Sequence, residues 1–101
     1  MAVTLQVIYP NSDGTSFDHG YYGETHLPLV GQHMGAHIES TLVTKGVSDP
    51  GGNTAAVYAI ASMVFVDKPA LEAALAKAGP VIEDIPNFTN TVPQMVIGET
   101  L

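Results

Sequence analysis

The chain has 101 residues, of which 46% are apolar and only 13% charged, and ten acidic residues against Lys45, Lys68 and Lys77 set a net charge of −7. One domain fits that length and buries roughly two thirds of the surface its unfolded form would expose. The charge balance repels nucleic acid and anionic membrane surfaces, no arginine offers a fork for phosphate or carboxylate, and the lack of cysteine excludes disulfides, thiolate nucleophiles and cysteine-based metal sites.

Val3 to Tyr9 alternates, with Val3, Leu5, Val7 and Tyr9 on one face and Thr4, Gln6 and Ile8 on the other, which reads as a first strand. The turn chemistry of Pro10 to Ser16 ends it. Asp18 or Ser16 then caps a helix running to about Met34, closed by Gly35. Ala36 to Val47 alternates again as a second strand, and Ser48-Asp49-Pro50-Gly51-Gly52-Asn53 is the strongest turn signal in the chain. Ala55 to Val66 is the longest apolar run and reads as a strand buried on both sides. Asp67 caps a second helix from Pro69 to Lys77, with an apolar stripe of Leu71, Ala74, Leu75 and Ala78 and a stop at Gly79-Pro80. Val81 to Phe88 reads as an irregular turn. Thr89 to Gly98 is a last strand, placed at an edge or bulged because Pro93 lacks a ladder donor.

The order βαββαβ, with right-handed crossovers, predicts an α+β domain over residues 1–101: a ferredoxin-like four-stranded antiparallel sheet with two helices on one face. That leaves the other sheet face bare, with Tyr58, Ile60, Ser62, Val64 and Val66, or their neighbours of opposite parity, needing cover. A second copy of the same sheet is the economical cover, so a homodimer is expected, with an apolar cavity between the two sheets. The low charge content, against ~25% in an average soluble domain, points the same way. The start lacks a basic and apolar leader, and no stretch approaches the ~18 apolar residues of a membrane span, so a cytoplasmic location is the default.

The chemistry concentrates in Tyr21-Tyr22-Gly23-Glu24-Thr25-His26-Leu27-Pro28. Pro28 removes the helical bond to the Glu24 carbonyl and is expected to bend the axis near His26. His26 is either a pocket-facing acid, base or hydrogen-bond donor, or a structural histidine paired with a backbone carbonyl. Tyr22, four residues earlier, shares its helical face, whereas Tyr21 is turned about 100° away and is expected to pack or face solvent. Any carboxylate that orients the imidazole must come from another segment. Asp84, next to Glu83, either closes over the His26 ring or is half of a solvated acidic pair. His19, His26 and His33 recur every seven residues, ~10.5 Å apart along a helix, too far for one ion, and Gly35 breaks the helix between His33 and His37, so no metal is expected. No nucleophile elbow or phosphate-cradling loop occurs.

Tyr22…His26-Leu27-Pro28-Leu29-Val30, the β-β pair, the Ala-rich second helix and Glu83-Asp84-Ile85-Pro86-Asn87-Phe88 together resemble the EthD family of the dimeric α+β barrel superfamily. The resemblance spans nearly the whole chain, on the His-x-Pro step and an aspartate four positions before a phenylalanine. It implies a ferredoxin-like subunit that dimerises through its sheets, with His26 and Asp84 as the polar residues near the ligand cavity. The family takes its name from a bacterial ether-degradation cluster, and relatives include cofactor-free oxygenases, decarboxylases, cyclases and isomerases acting on aromatic and polyketide-like compounds. The wider superfamily also holds haem enzymes. This chain lacks the basic residues that many relatives carry near the first strand and helix, so a carboxylate-anchored substrate is disfavoured.

The expectation is therefore a homodimer that binds a small, mostly apolar molecule between sheet and helices without a cofactor. His26 serves as acid, base or donor, Tyr22 as its hydrogen-bonding neighbour and Asp84 as its orienter, in a cofactor-free oxygenase, lyase or isomerase. The alternatives are a non-catalytic carrier or accessory protein of an oxygenase system, a haem-dependent enzyme and a structural interaction module.

Overall fold

In the computed structural model, which describes residues 2–101, the elements are β1 (Val3–Pro10), α1 (His19–Tyr21), a π-helical turn (Tyr22–His26) and α2 (Leu27–Met34). After a 3₁₀ turn at Gly35–His37 come β2 (Ser40–Lys45), β3 (Val57–Phe65), α3 (Lys68–Leu75), α4 (Gly79–Asp84), a 3₁₀ turn at Ile85–Asn87 and β4 (Gln94–Glu99). The strands form one antiparallel sheet in the order β2-β3-β1-β4, so each helical segment crosses over a central strand. This is the ferredoxin-like arrangement expected from the element order.

The period-2 pattern sorts the sheet into two faces. Leu5, Val7 and Tyr9 of β1 and Ala59, Ala61, Met63 and Phe65 of β3 are buried beneath the helices, where they meet Tyr22, Met34, Leu71, Ala74, Ala78, Val81 and Phe88. By register the opposite face carries Thr4, Gln6, Ile8, Ser40, Leu42, Thr44, Ile60, Ser62, Val64, Gln94 and Val96. None of these residues is charged. The expectation that β3 is buried on both sides is met on one side only, since Ile60, Ser62 and Val64 are half-buried. Tyr58 has the outward parity but is tied to the end of the sheet, stacking on Phe17 at 5.3 Å and sharing a 2.8 Å hydrogen bond with Thr15.

Several boundaries differ from the sequence reading. β2 is shorter than Ala36–Val47, because Gly35–His37 continues the helical path as a 3₁₀ turn. The β2–β3 connection begins at Gly46, where a Cβ would collide with the Val57 carbonyl. Asp67 caps α3 as expected, its carboxylate accepting from the Ala70 amide at 2.9 Å. α3 ends at Leu75, short of the expected stop, and Gly79-Pro80 instead starts α4, with Pro80 in the first turn, where a missing N–H costs nothing. The segment read as an irregular turn is thus helical through Asp84. Pro93 lies just before β4, which is an edge strand and has Met95, Val96 and Ile97 largely exposed.

Candidate functional site

Asp18 starts the first helical segment, its carboxylate accepting from the Tyr21 amide at 3.0 Å. Two turns later Pro28 offers no N–H, and the backbone responds by widening: the Leu27 amide donates to the Tyr22 carbonyl, five residues back. The disturbance expected at Pro28 therefore takes the form of a π turn, with Tyr22 and His26 buried at its ends. A wider turn brings residues five apart closer to one helical face than the α-helical spacing allows. Tyr21 and His26 are five apart.

Both reach the same carboxylate. His26 Nδ1 lies 2.9 Å from Asp84 Oδ2, and the Tyr21 hydroxyl donates to Asp84 Oδ1 at 2.6 Å. The Asn87 side-chain amide, one turn beyond Asp84, donates to the same Oδ1 at 3.0 Å. These bonds, led by the one from Tyr21, hold the Asp84 carboxyl below the ordinary carboxylate value, and the Tyr21 phenol is correspondingly raised. An ionised Asp84 only accepts, so Nδ1 carries the hydrogen and Nε2 of the neutral ring is left with its lone pair.

The backbone that brings Asp84 to His26 is clamped. The Asp18 amide donates to the Phe88 carbonyl at 2.8 Å, Thr89 Oγ1 donates to the Ser16 carbonyl at 2.6 Å, and the Asn90 side chain bridges the Ser16 amide and the Gly14 carbonyl. Phe88 sits inside this clamp with its ring 4.5 Å from His26 and 5.2 Å from Tyr22.

Tyr22 lies parallel to His26, with ring centroids 5.5 Å apart and 18° between planes. The sequence reading had Tyr22 as a hydrogen-bonding neighbour of the imidazole; it is a stacking neighbour. Tyr21, expected to pack or face solvent, is the residue that hydrogen-bonds the site's carboxylate. The α-helical 100° rule hid it, and Pro28 was the signal that the rule would fail there.

An apolar cavity of about 60 Å³ lies between helices and sheet, lined by His26, Tyr22, Tyr9, Val30, Met63 and Val81 among others. It is inside the subunit, on the helix side. The chamber expected between two facing sheets would be on the wrong side of the sheet to meet His26. An engineered apolar cavity that holds benzene measures roughly 150 Å³, so this one is less than half that size and a ring enters it only as the wall gives way. A haem macrocycle does not fit it, and no group of three or more metal-ligating side chains occurs among the described residues. Nor is any helix there long and apolar enough to cross a membrane.

A two-layer α+β subunit of ferredoxin-like topology, with a carboxylate-held histidine on an apolar cavity, is the class that fold and site define. No family model matches the chain, and no curated protein matches it. Among solved structures, an EthD-like protein of Ralstonia eutropha JMP134 is 29% identical, covering 97% of this chain and 90% of its own, with a TM-score of 0.86. An EthD family protein of Bacillus halodurans C-125 is 22% identical over the full length of both chains, with a TM-score of 0.78. Over nearly its whole length the chain is similar to these EthD proteins. SnoaB of Streptomyces nogalater, a cofactor-independent oxygenase, shares the fold at 10% identity and a TM-score of 0.62, over 98% of this chain and 91% of its own.

Proposed function

We propose that the protein binds a small, mostly apolar molecule between sheet and helices, and that His26 exchanges a proton with it. The observation that carries this reading is the Asp84–His26 contact at 2.9 Å on the wall of an apolar cavity. Asp84 fixes the tautomer and turns Nε2 outward as the base, and a proton taken up there leaves an imidazolium facing a carboxylate. Tyr22 and Phe88 hold the ring plane, and Tyr21 and Asn87 hold the carboxylate. The likeness to a cofactor-independent oxygenase supports a reaction with no bound cofactor.

The subunit works as a homodimer in this proposal. The outward sheet face is uncharged on a chain of net charge −7, so two copies meet there without apposing like charges. Leu42, Val66 and Val96, each at least 46% exposed, supply its apolar contacts. The dimer leaves the cavity on the helix side of each sheet.

Binding and chemistry separate in one experiment. Titrating substituted phenols into wild type and His26→Gln should show retained binding and lost proton transfer in the variant. Equal turnover in both would remove His26 from the reaction, and no saturable binding to wild type would remove the cavity from the function.

A further inference from the structure

Two buried side chains on the cavity wall carry hydroxyls that the His26–Asp84 pair does not use. Tyr9, at the end of β1, and Tyr22 are 2% and 4% exposed, and both line the cavity with His26. Among the described residues neither phenolic oxygen has a hydrogen-bond partner, yet neither is sealed into the protein, because no buried side-chain oxygen or nitrogen is left both enclosed and unpaired. The oxygens therefore keep surface without leaving the interior. A hydroxyl taken out of water without a partner is destabilising, and phenylalanine at either position would avoid that cost. The two rings meet edge to face, with centroids 5.6 Å apart, on the same cavity wall. Burial keeps both protonated, with Tyr22 pushed up to about 12.

We infer that the Tyr9 and Tyr22 hydroxyls form a paired donor site for an oxygen atom of the ligand, which makes the ligand a phenol or enol bound as its oxyanion. The inference rests on the cavity reading above and names the chemical class that the cavity takes. The ligand O–H gives its proton to His26 Nε2, the bonding pair stays on the ligand oxygen, and that oxygen then accepts from the two phenols. Neutral donors in an apolar site stabilise such an anion more than water-exposed ones would. No lysine or arginine lines the cavity, so a carboxylate or phosphate would lack its usual counter-charge there.

The test uses 4-nitrophenol, whose ionised form is visible by absorbance, and 4-nitrotoluene, which has the same shape without the acidic O–H, against wild type, Tyr9→Phe, Tyr22→Phe and the double variant at one fixed pH. Wild type should bind 4-nitrophenol in preference to 4-nitrotoluene, with a larger ionised fraction than in buffer. Each single phenylalanine variant should lose about tenfold of that preference and part of the ionised fraction, leaving 4-nitrotoluene affinity within about twofold. Unchanged 4-nitrotoluene binding also reports that the variant's cavity is intact. Phenylalanine variants that keep both the preference and the ionised fraction would overturn the donor site, as would wild type that binds the two probes equally; the cavity reading would survive either. Failure of both probes to bind wild type would overturn the cavity reading and the donor site with it.

Discussion

Asp84 Oδ2 lies 2.9 Å from His26 Nδ1 across 58 residues of chain, while Tyr21, on the same helical segment as His26, donates to the other oxygen of that carboxylate at 2.6 Å. One helix thus grips Asp84 twice, and it does so through the π turn that separates Tyr21 from His26. In this account the carboxylate is a positioning residue and the outward Nε2 is the working atom.

Asp84→Asn should break the tautomer control. Proton transfer to a bound phenol is expected to fall by roughly 10²–10⁴, with ligand affinity changed far less. Imidazole nitrogen spectra give an independent readout: in wild type the neutral His26 ring carries its hydrogen on Nδ1, and in the variant that preference should be lost. A variant that retains the tautomer would show that Asp84 does not set it.

Pro28→Ala restores an N–H that can donate to the Glu24 carbonyl and so offers the π turn a route back to α geometry. Tyr21 would then swing away from Asp84. Its phenol, raised in the wild type chiefly by the hydrogen bond to Asp84, should move back toward 10. Tyrosine absorbance titrations of Pro28→Ala and of Tyr21→Phe, set against wild type, measure this.

Stability should fall at both ends of the pH scale for separate reasons. Asp84 is depressed in the folded state, so its contribution is complete above the ordinary carboxylate value of about 3.9 and is lost as pH falls below it. Tyr9 and Tyr22 are raised by burial, so theirs is complete below about 10 and is lost as pH rises from there through Tyr22's value of about 12. Denaturant midpoints across pH should therefore drop on the acid side less steeply in Asp84→Asn, and on the alkaline side less steeply in Tyr9→Phe.

Phe88→Ala should cost ~3–5 kcal/mol, the range for a buried phenylalanine, because its ring touches Tyr9, Phe17, Tyr21, Tyr22 and His26 and little of it reaches solvent. Chemical denaturation gives the value. A surface-like cost below ~1 kcal/mol would mean that the aromatic cluster does not set the site.

Much of this fold is legible in short patterns. The odd residues of β1, Leu5 to Tyr9, declare the buried face, and Asp18 and Asp67 mark helix starts that they do in fact cap. What escapes such reading depends on distant partners or on broken rules. Tyr21 looked idle because 100° per residue turns it from His26, and only the π turn forced by Pro28 brings the two together. Gly79-Pro80 reads equally as a stop and as a start, and the helix it begins is the one that delivers Asp84. The uncharged sheet face drew the expected cavity to itself, although the side chains of β1 and β3 that line the actual cavity belong to the opposite parity.

The most direct test is to follow the side-chain ¹⁵N resonances of His19, His26, His33 and His37 while 4-nitrophenol is titrated into the protein. A saturable shift is expected at His26 Nε2 that tracks ligand ionisation, with Nδ1 retaining its hydrogen and the other three histidines little changed. Saturable binding that leaves His26 Nε2 unmoved would contradict the proposal.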